Sequence, residues 1–276
     1  MTSGTIGGVT SIELARLIRA DALRMTAATR ASHIGSCLSI ADILAVLYAG
    51  SMRIRPSEPD WSGRDRLIVS KGHAAAIVYA VLARVGFFGV EQLASYTCDG
   101  SIFTGHVSHH VPGVEWSTGS LGHGLPVGTG MALAAQRGGR ASRTVVLLSD
   151  GELDEGSNWE AILFAGHHRL RNLIAIIDAN GIQSFGRVSE VLELEPLPDK
   201  FRSFGWNVRE VQGHDHDALR VALSPADVGD DRPVVVIART VKGSGVSFME
   251  DELRWHYKSA APDELAAALT ELGVPA

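Results

Sequence analysis

Two polar side chains, Asp150 and Asn180, carry the first chemical signal in this chain. Each ends a run of apolar residues of strand length, Thr144–Ser149 and Asn172–Asp178, and the two stand 30 positions apart. One strand–helix–strand unit spans about 30 residues or more, so both side chains can reach the same edge of a parallel sheet. One anionic and one neutral oxygen donor, with no His or Cys, is the donor set of a hard cation such as Mg2+ or Ca2+. Mg2+ keeps an octahedral shell and is commonly shared between a few protein groups and phosphate oxygens. Gly151 lets the backbone come close to a phosphate, and the helix that follows turns its positive end toward it. Singly, each residue reads as a loop cap; as a pair at this spacing, they read as ligands.

The elements that must position them follow from the apolar pattern. Leu14, Leu17, Ile18 and Leu23 recur at helical spacing over Ser11–Ala31, behind a Thr10-SIE capping box and a loose tail at 1–10. A helix is expected over Ser39–Tyr48 with Ser39 as its cap, a buried strand over Arg66–Val69, and a helix over His73–Val85. Gly100–Gly122 is a loop rich in Gly, His and Ser, too long for a simple connector. Beyond it come a small-residue helix at Gly124–Ala135, the strand Thr144–Ser149, a helix at Ser157–His168 with a Ser157-NWE capping box, and the strand Asn172–Asp178. Trp206–Val211, Asp217–Leu223 and Pro233–Arg239 repeat the strand, helix, strand rhythm, and Pro262–Leu272 closes as a helix. Continuous Val/Ile/Leu strands alternating with helices predict an α/β fold, a doubly wound and mostly parallel sheet with helices on both faces, as one domain over 1–276. Ligands of such sheets sit beyond the carboxyl ends of the strands, where Ser70-KGH, Asp150-GELDEG and Ala179-NGIQSFG converge.

Composition narrows the class. The chain has 276 residues, 45% hydrophobic and 20% charged, with a formal charge of −6, and this excludes a disordered chain and disfavours nucleic acid as a partner. No apolar run reaches the ~18 residues a membrane span needs, and the N-terminus has no secretory pattern. Cys37 and Cys98 lack CxxC spacing, so neither a disulfide framework nor a zinc site is expected; the reading is a soluble cytoplasmic protein. Only four lysines occur, Lys71, Lys200, Lys242 and Lys258, a bias read as genomic rather than chemical.

SDGELDEGSNWEA followed by DANGIQSFG resembles the thiamine-diphosphate signature, and further segments resemble transketolases in particular. These are ASHIGSCLSIADILAVLY, RDRLIVSKGHAAAIVYAVLARVGFF, TGH, PGVEWSTGSLGHGLPVGTGMALA and KGSGVSFMEDELRWH, in the family's order, from about Leu14 to Ala261. The resemblance implies a thiamine-diphosphate-binding domain of the split, two-subunit type. It further implies Mg2+ held by Asp150, Asn180 and the Ile182 carbonyl, with Ca2+ or Mn2+ as substitutes. The Gly151 amide and His73 would contact the diphosphate. Gly119 and Leu121 would lie against the cofactor, with His123 on the same loop. Glu155 and Glu160 match a pair of family carboxylates, Glu155 facing its counterpart across a dimer interface. His33, His73, His106 and His256 match histidines lining a substrate channel, where imidazoles near neutral pH suit transfer of a two-carbon ketol unit. The other histidines read as satisfied loop residues, His214 as a hydrogen bonder at a helix entry.

The family's catalytic Glu on the pyrimidine ring belongs to a second domain. A separate pyrimidine-domain subunit is therefore expected, in a heterotetramer of two plus two, acting on a sugar or sugar phosphate. Competing readings are the same half of another thiamine enzyme (a 2-oxo acid decarboxylase or dehydrogenase component, or a deoxyxylulose-phosphate-type synthase), a specialised secondary-metabolism transketolase, a non-catalytic binding protein, and a nicotinamide-binding domain. The sequence departs from the family at Ser149, in place of the first Gly of GDG, at Ile34, in place of Pro, and over Val107–His110. Ser149 is expected to be tolerated if its φ is negative.

Overall fold

In the computed structural model, which describes residues 5–6, 8–225 and 229–275, five parallel strands divide two packed cores. The strands are β3 (Arg66–Val69), β4 (Thr144–Ser149), β5 (Leu173–Ala179), β8 (Asn207–Gln212) and β9 (Val234–Arg239), ordered β3-β4-β5-β9-β8. Two short antiparallel pairs stand apart from this sheet: β1 (Thr5–Ile6) with β2 (Val9–Thr10), and β6 (Ile182–Gln183) with β7 (Gly186–Arg187).

Alternation along each strand decides which core a residue joins. Leu67, Val69, Val145, Leu147, Ile174, Ile176, Val234 and Val236 face one side. There they pack with α1 (Ser11–Thr29), α2 (Ile34–Ser39), α3 (Ala41–Val46), α4 (Ala75–Arg84), α9 (His216–Ala222) and α10 (Pro262–Glu271). Ile68, Val146, Leu148, Ala175, Ile177, Val235 and Ile237 face the other, against α5 (Gly124–Arg137), α6 (Gly156–His167) and α8 (Leu197–Ser203). Both faces are covered, which is why the strands are apolar throughout rather than alternating with polar residues. A one-turn helix, α7 (Val188–Val191), follows β7.

Register brings the strand ends abreast. Ser149 pairs with Asp178, Ala179 with Arg239, and Arg239 with Gln212. Asp150, Asn180, Thr240 and Gly213 therefore leave the sheet side by side at its carboxyl edge.

Several local expectations need correction. Thr10 Oγ1 accepts the Glu13 amide at 3.2 Å, but the Glu13 carboxylate turns to Arg16, so half of that capping box forms. Ser39 does not cap a helix: it is the last residue of α2, a helix the sequence reading did not separate, and its hydroxyl is spent on Asp178 at 2.6 Å. The Ser157 box is absent too, because Ser157 Oγ donates to the Gly122 carbonyl at 2.7 Å and Glu155 takes the N-cap position without a side-chain bond. In each case a tertiary partner outcompetes the local one. The hairpin β6–β7 and the helix α8 were also not separated from their surroundings. The tail expected at 1–10 lies partly outside the described residues; within it β1 pairs with β2. No helix among the described residues is long and apolar enough to cross a membrane.

Candidate active site

Asp150 is buried at the end of β4, and both its carboxylate oxygens accept backbone amides, Gly151 at 2.8 Å and Gly181 at 2.6 Å. The second bond comes from the turn after β5, so it joins the two strand ends directly. In that turn Asn180 Oδ1 accepts the Ile182 amide at 3.0 Å, and Asn180 Nδ2 donates to Asp178 at 2.8 Å. The donating amide fixes which way Asn180 points its oxygen. Ser149, just before Asp150, is not among the residues with positive φ, so Ser is accommodated there as expected.

Asp178 is fully buried and carries the network. It accepts Lys71 Nζ at 2.6 Å, Ser39 Oγ at 2.6 Å and the Thr240 hydroxyl. Burial opposes its charge, but the Lys71 ammonium and these donors hold its carboxyl below the usual carboxylate range. Asp150 has no such cation. Burial pushes its carboxyl up to about 6, and the Asp178 charge pushes the same way. A second buried ammonium, Lys242, donates to the Ile182 carbonyl at 2.9 Å and to His256 Nδ1 at 3.2 Å. Burial brings Lys242 down to about 8, and Lys71 adds to that, against the pull of Asp178 and Asp150.

These observations test whether a hard cation fits. A buried carboxylate of raised proton affinity has no cation hydrogen-bonded to it, one neutral amide oxygen follows in the neighbouring turn, and the Ile182 carbonyl already draws an ammonium. A divalent ion would relieve the first and use all three oxygens. Among the described residues no group of three His, Cys, Asp or Glu side chains is arranged for a metal, so an ion here would rest on one carboxylate, an amide oxygen and a backbone carbonyl. Gly151 is held close to the β6 hairpin: a Cβ there would stand 2.6 Å from Gln183 Cβ. The donor set fits Mg2+.

Four histidines from four separate segments meet beside this edge. His33 lies 5.0 Å from His73, 5.0 Å from His256 and 6.0 Å from His106 between ring centroids, and His73 lies 5.6 Å from His256. His33 adopts a left-handed backbone at φ 75, held by its amide on the His256 carbonyl at 2.9 Å; a non-glycine residue there is strained, a feature that clusters at functional sites. Burial brings His33 down to about 4, aided by the charges of His106 and Lys242, and His256 down to about 3, aided by Lys242. Burial with Lys71 lowers His73 far below its usual value. All three are neutral imidazoles at pH 7. His73 Nε2 meets Ser36 Oγ at 2.9 Å.

The remaining predicted residues lie on the loop 119–124 and on α6. Gly119 abuts His106, where a Cβ would be 3.1 Å from the ring. Leu121 is half-buried, and its carbonyl meets His123 Nδ1 at 3.0 Å on an exposed ring. Glu155, the N-cap of α6, and Glu160, on its first turns, are exposed and outside the histidine cluster, as are Leu163 and Phe164. The sequence reading missed Lys71, Lys242, Asp178 and Glu152. The last is fully buried and ties Ser70 Oγ, the Gly122 amide at 3.0 Å and the Ser149 amide at 3.3 Å. A signal for the lysines was present: in a chain with four, two fall in SKGH and KGSG at predicted strand ends.

The family model described as "Transketolase, thiamine diphosphate binding domain" matches residues 10–276. A Clostridium sp. protein named 6-deoxy-6-sulfo-D-fructose transketolase subunit SqwG is 39% identical over 259 residues, 94% of each chain. An Actinobacillus succinogenes protein, named as one of the subunits of apulose-4-phosphate transketolase, is 43% identical over 241 residues, 87% of each. Among solved structures, transketolase from Leishmania mexicana superposes with a TM-score of 0.89 at 32% identity, covering 96% of this chain and 42% of that one. The chain thus spans about two-fifths of the solved transketolases it matches and nearly all of the relatives named as subunits.

Proposed function

Because the chain belongs to the transketolase family, as its thiamine-diphosphate-binding domain, we propose that it is the N-terminal subunit of a two-subunit transketolase. In this reading it moves a two-carbon ketol unit from a ketose or ketose phosphate to an aldose or its phosphate. The observation that carries the reading is the convergence of Asp150, Asn180 and the Ile182 carbonyl with four histidines at one sheet edge.

Asp150, Asn180 and Ile182 would hold Mg2+, and with it the diphosphate, beside the Gly151 amide and His73. Thiamine diphosphate, when bound, supplies the nucleophilic carbon that carries the ketol unit. Gly119, Leu121 and His123 would border it. The chain's own contribution is to move protons. Lys242 donates to His256 Nδ1, which leaves the proton of neutral His256 on Nε2, facing away from the lysine and able to donate to a substrate oxygen. His33, His73 and His106 complete a wall of imidazoles. Three of the four are held neutral, so each can accept or donate a hydrogen bond as hydroxyl and carbonyl interconvert. The buried pair Lys71–Asp178 fixes Asn180 from behind, through the Nδ2 bond that orients its oxygen.

The partner is proposed to be a pyrimidine-domain subunit in a heterotetramer of two plus two, with Glu155 and Glu160 on the contact face of α6. Relatives of this length named as subunits support it. A cytoplasmic setting is proposed as well, supported by two unpaired cysteines, Cys37 and Cys98. The test is to co-purify the chain with its partner and assay ketose donors against 2-oxo acids, with phosphorylated and unphosphorylated ketoses in separate arms. Ketol transfer by the complex, none by the chain alone, and its loss in Asp150→Ala with an unchanged circular-dichroism spectrum is the expected result. Turnover by the isolated chain, or of 2-oxo acids only, contradicts the reading.

A further inference from the structure

Behind the active edge, and out of reach of the histidine wall, lies a second cluster of charged and titratable groups that the chemistry above does not use. Asp42 of α3 is buried and accepts four bonds: Arg19 Nη1 at 3.0 Å and Nη2 at 2.5 Å from α1, His214 Nδ1 at 2.7 Å, and His216 Nε2 at 3.0 Å. Burial works against the Asp42 charge, yet the two histidines and Arg19 hold its carboxyl well below the ordinary range. The sequence reading took His214 for a helix-entry hydrogen bonder. That work falls to Asp215, whose carboxylate caps α9 through the Asp217 and Ala218 amides, both at 3.0 Å.

His214 is doubly engaged. Its Nε2 accepts the Val241 amide at 2.8 Å, which makes Nδ1 the nitrogen that carries the proton and donates to Asp42. Val241 opens the segment that carries Lys242 into the site. At the far end of that segment Arg19 Nε donates to the Ser244 carbonyl at 2.9 Å. One buried cluster therefore grips both ends of Val241–Ser244. Between the grips, Lys242 reaches Ile182 and His256, and the Gly243 amide donates to the Gly35 carbonyl at 3.1 Å, two residues past His33. The approach is as close as the backbone allows. A Cβ on Gly213 would stand 2.2 Å from Thr240 Cγ2, so only glycine lets the loop of His214 lie against the residue whose hydroxyl meets Asp178.

We propose that His214 is a positioning residue for the reaction: through Val241 it fixes the segment that aims Lys242 at the Ile182 carbonyl and His256 and that braces the loop of His33. The inference rests on the transketolase reading for its catalytic consequence, though not for its structural one. His214 touches neither substrate nor cofactor; its effect travels through one backbone amide and the Asp42 carboxylate.

The two bonds can be separated chemically. His214→Gln places an amide oxygen near the position of Nε2 and keeps an acceptor for Val241; His214→Asn keeps a donor near Nδ1 for Asp42 and loses that acceptor; His214→Ala loses both. The experiment combines amide hydrogen exchange over 240–245 with steady-state kinetics of the complex with its partner. Expected for Ala and Asn is about ten-fold faster exchange in that segment and about ten-fold lower kcat with KM little changed, the scale of one lost hydrogen bond, with Gln restoring both. Exchange unchanged in the Asn variant, fast exchange with kcat intact, or equal loss in Gln and Ala would overturn the proposal; should Ala fail to fold, the Gln–Asn contrast still decides. A wild-type complex that transfers no ketol unit counts against the function proposed above, and the exchange result would then stand or fall by itself.

Discussion

At the scale of single residues, the site is built from charges whose environments pull them in opposite directions. Asp178 and Asp150 lie in the same buried edge, one neutralised by Lys71 and the other left with amides alone. The first is a structural anion, and the second is the group proposed above to receive a cation. The histidines invert the usual sense of a pH switch. His33 sits at about 4 in the folded chain against an unfolded value near 6.5. As pH falls from ~6.5 toward 4, the unfolded chain takes up a proton that folded His33 refuses, so stability present above ~6.5 is lost on acidification. His256 and His73 act in the same direction. Chemical denaturation of the chain at pH 7.5 and at pH 5 should show a loss in the wild type that is smaller in His33→Gln by up to ~1 kcal/mol per pH unit, after discounting for partial exposure. An identical pH dependence in the two proteins would mean that His33 is not held neutral by the fold.

At the scale of elements, the site depends on loops that are short between strand and helix and are locked by buried side chains. Glu152 is the clearest lock, since its carboxylate joins the loop after β3, the 119–124 loop and the end of β4. Glu152→Ala leaves these donors unpaired in a buried setting and should cost about 3 kcal/mol, seen as a lowered denaturation midpoint, whereas Glu152→Gln retains an acceptor and loses less. Equal loss from both substitutions would show that a single amide acceptor cannot stand in for the carboxylate at these three donors. The same loops explain what was legible in the sequence. β4 is bounded as read, β5 is shifted by one residue at both ends and β9 differs by one at its start, because continuous apolar runs have one place to go in a covered parallel sheet. That Asp150 and Asn180 share one sheet edge was legible through their spacing and their place just past two apolar runs. Ser39 and Ser157 misled because a capping preference is worth about 1 kcal/mol, and a buried carboxylate or an approaching loop carbonyl outweighs it. Lys71 and Lys242 were marked only by the rarity of lysine and their place at strand ends; that each runs through the core to a distant carboxylate or carbonyl is written in no local pattern.

At the scale of the whole molecule, the sheet keeps two cores apart and delivers four strand ends and four histidines to one edge, a geometry that requires parallel strands in register. Phe185 stands 82% exposed on the hairpin just past Ile182, an apolar side chain at the rim of the proposed ion site. All of the chemistry proposed for this chain depends on the ion being where the strand-end oxygens are. The direct measurement is a crystal structure of the complex grown with thiamine diphosphate and Mn2+, read by anomalous scattering. One Mn2+ peak bonded to Asp150, Asn180 and the Ile182 carbonyl and sharing oxygens with the diphosphate is expected; a cofactor bound with the peak elsewhere, or with no peak, would rule out these ligands.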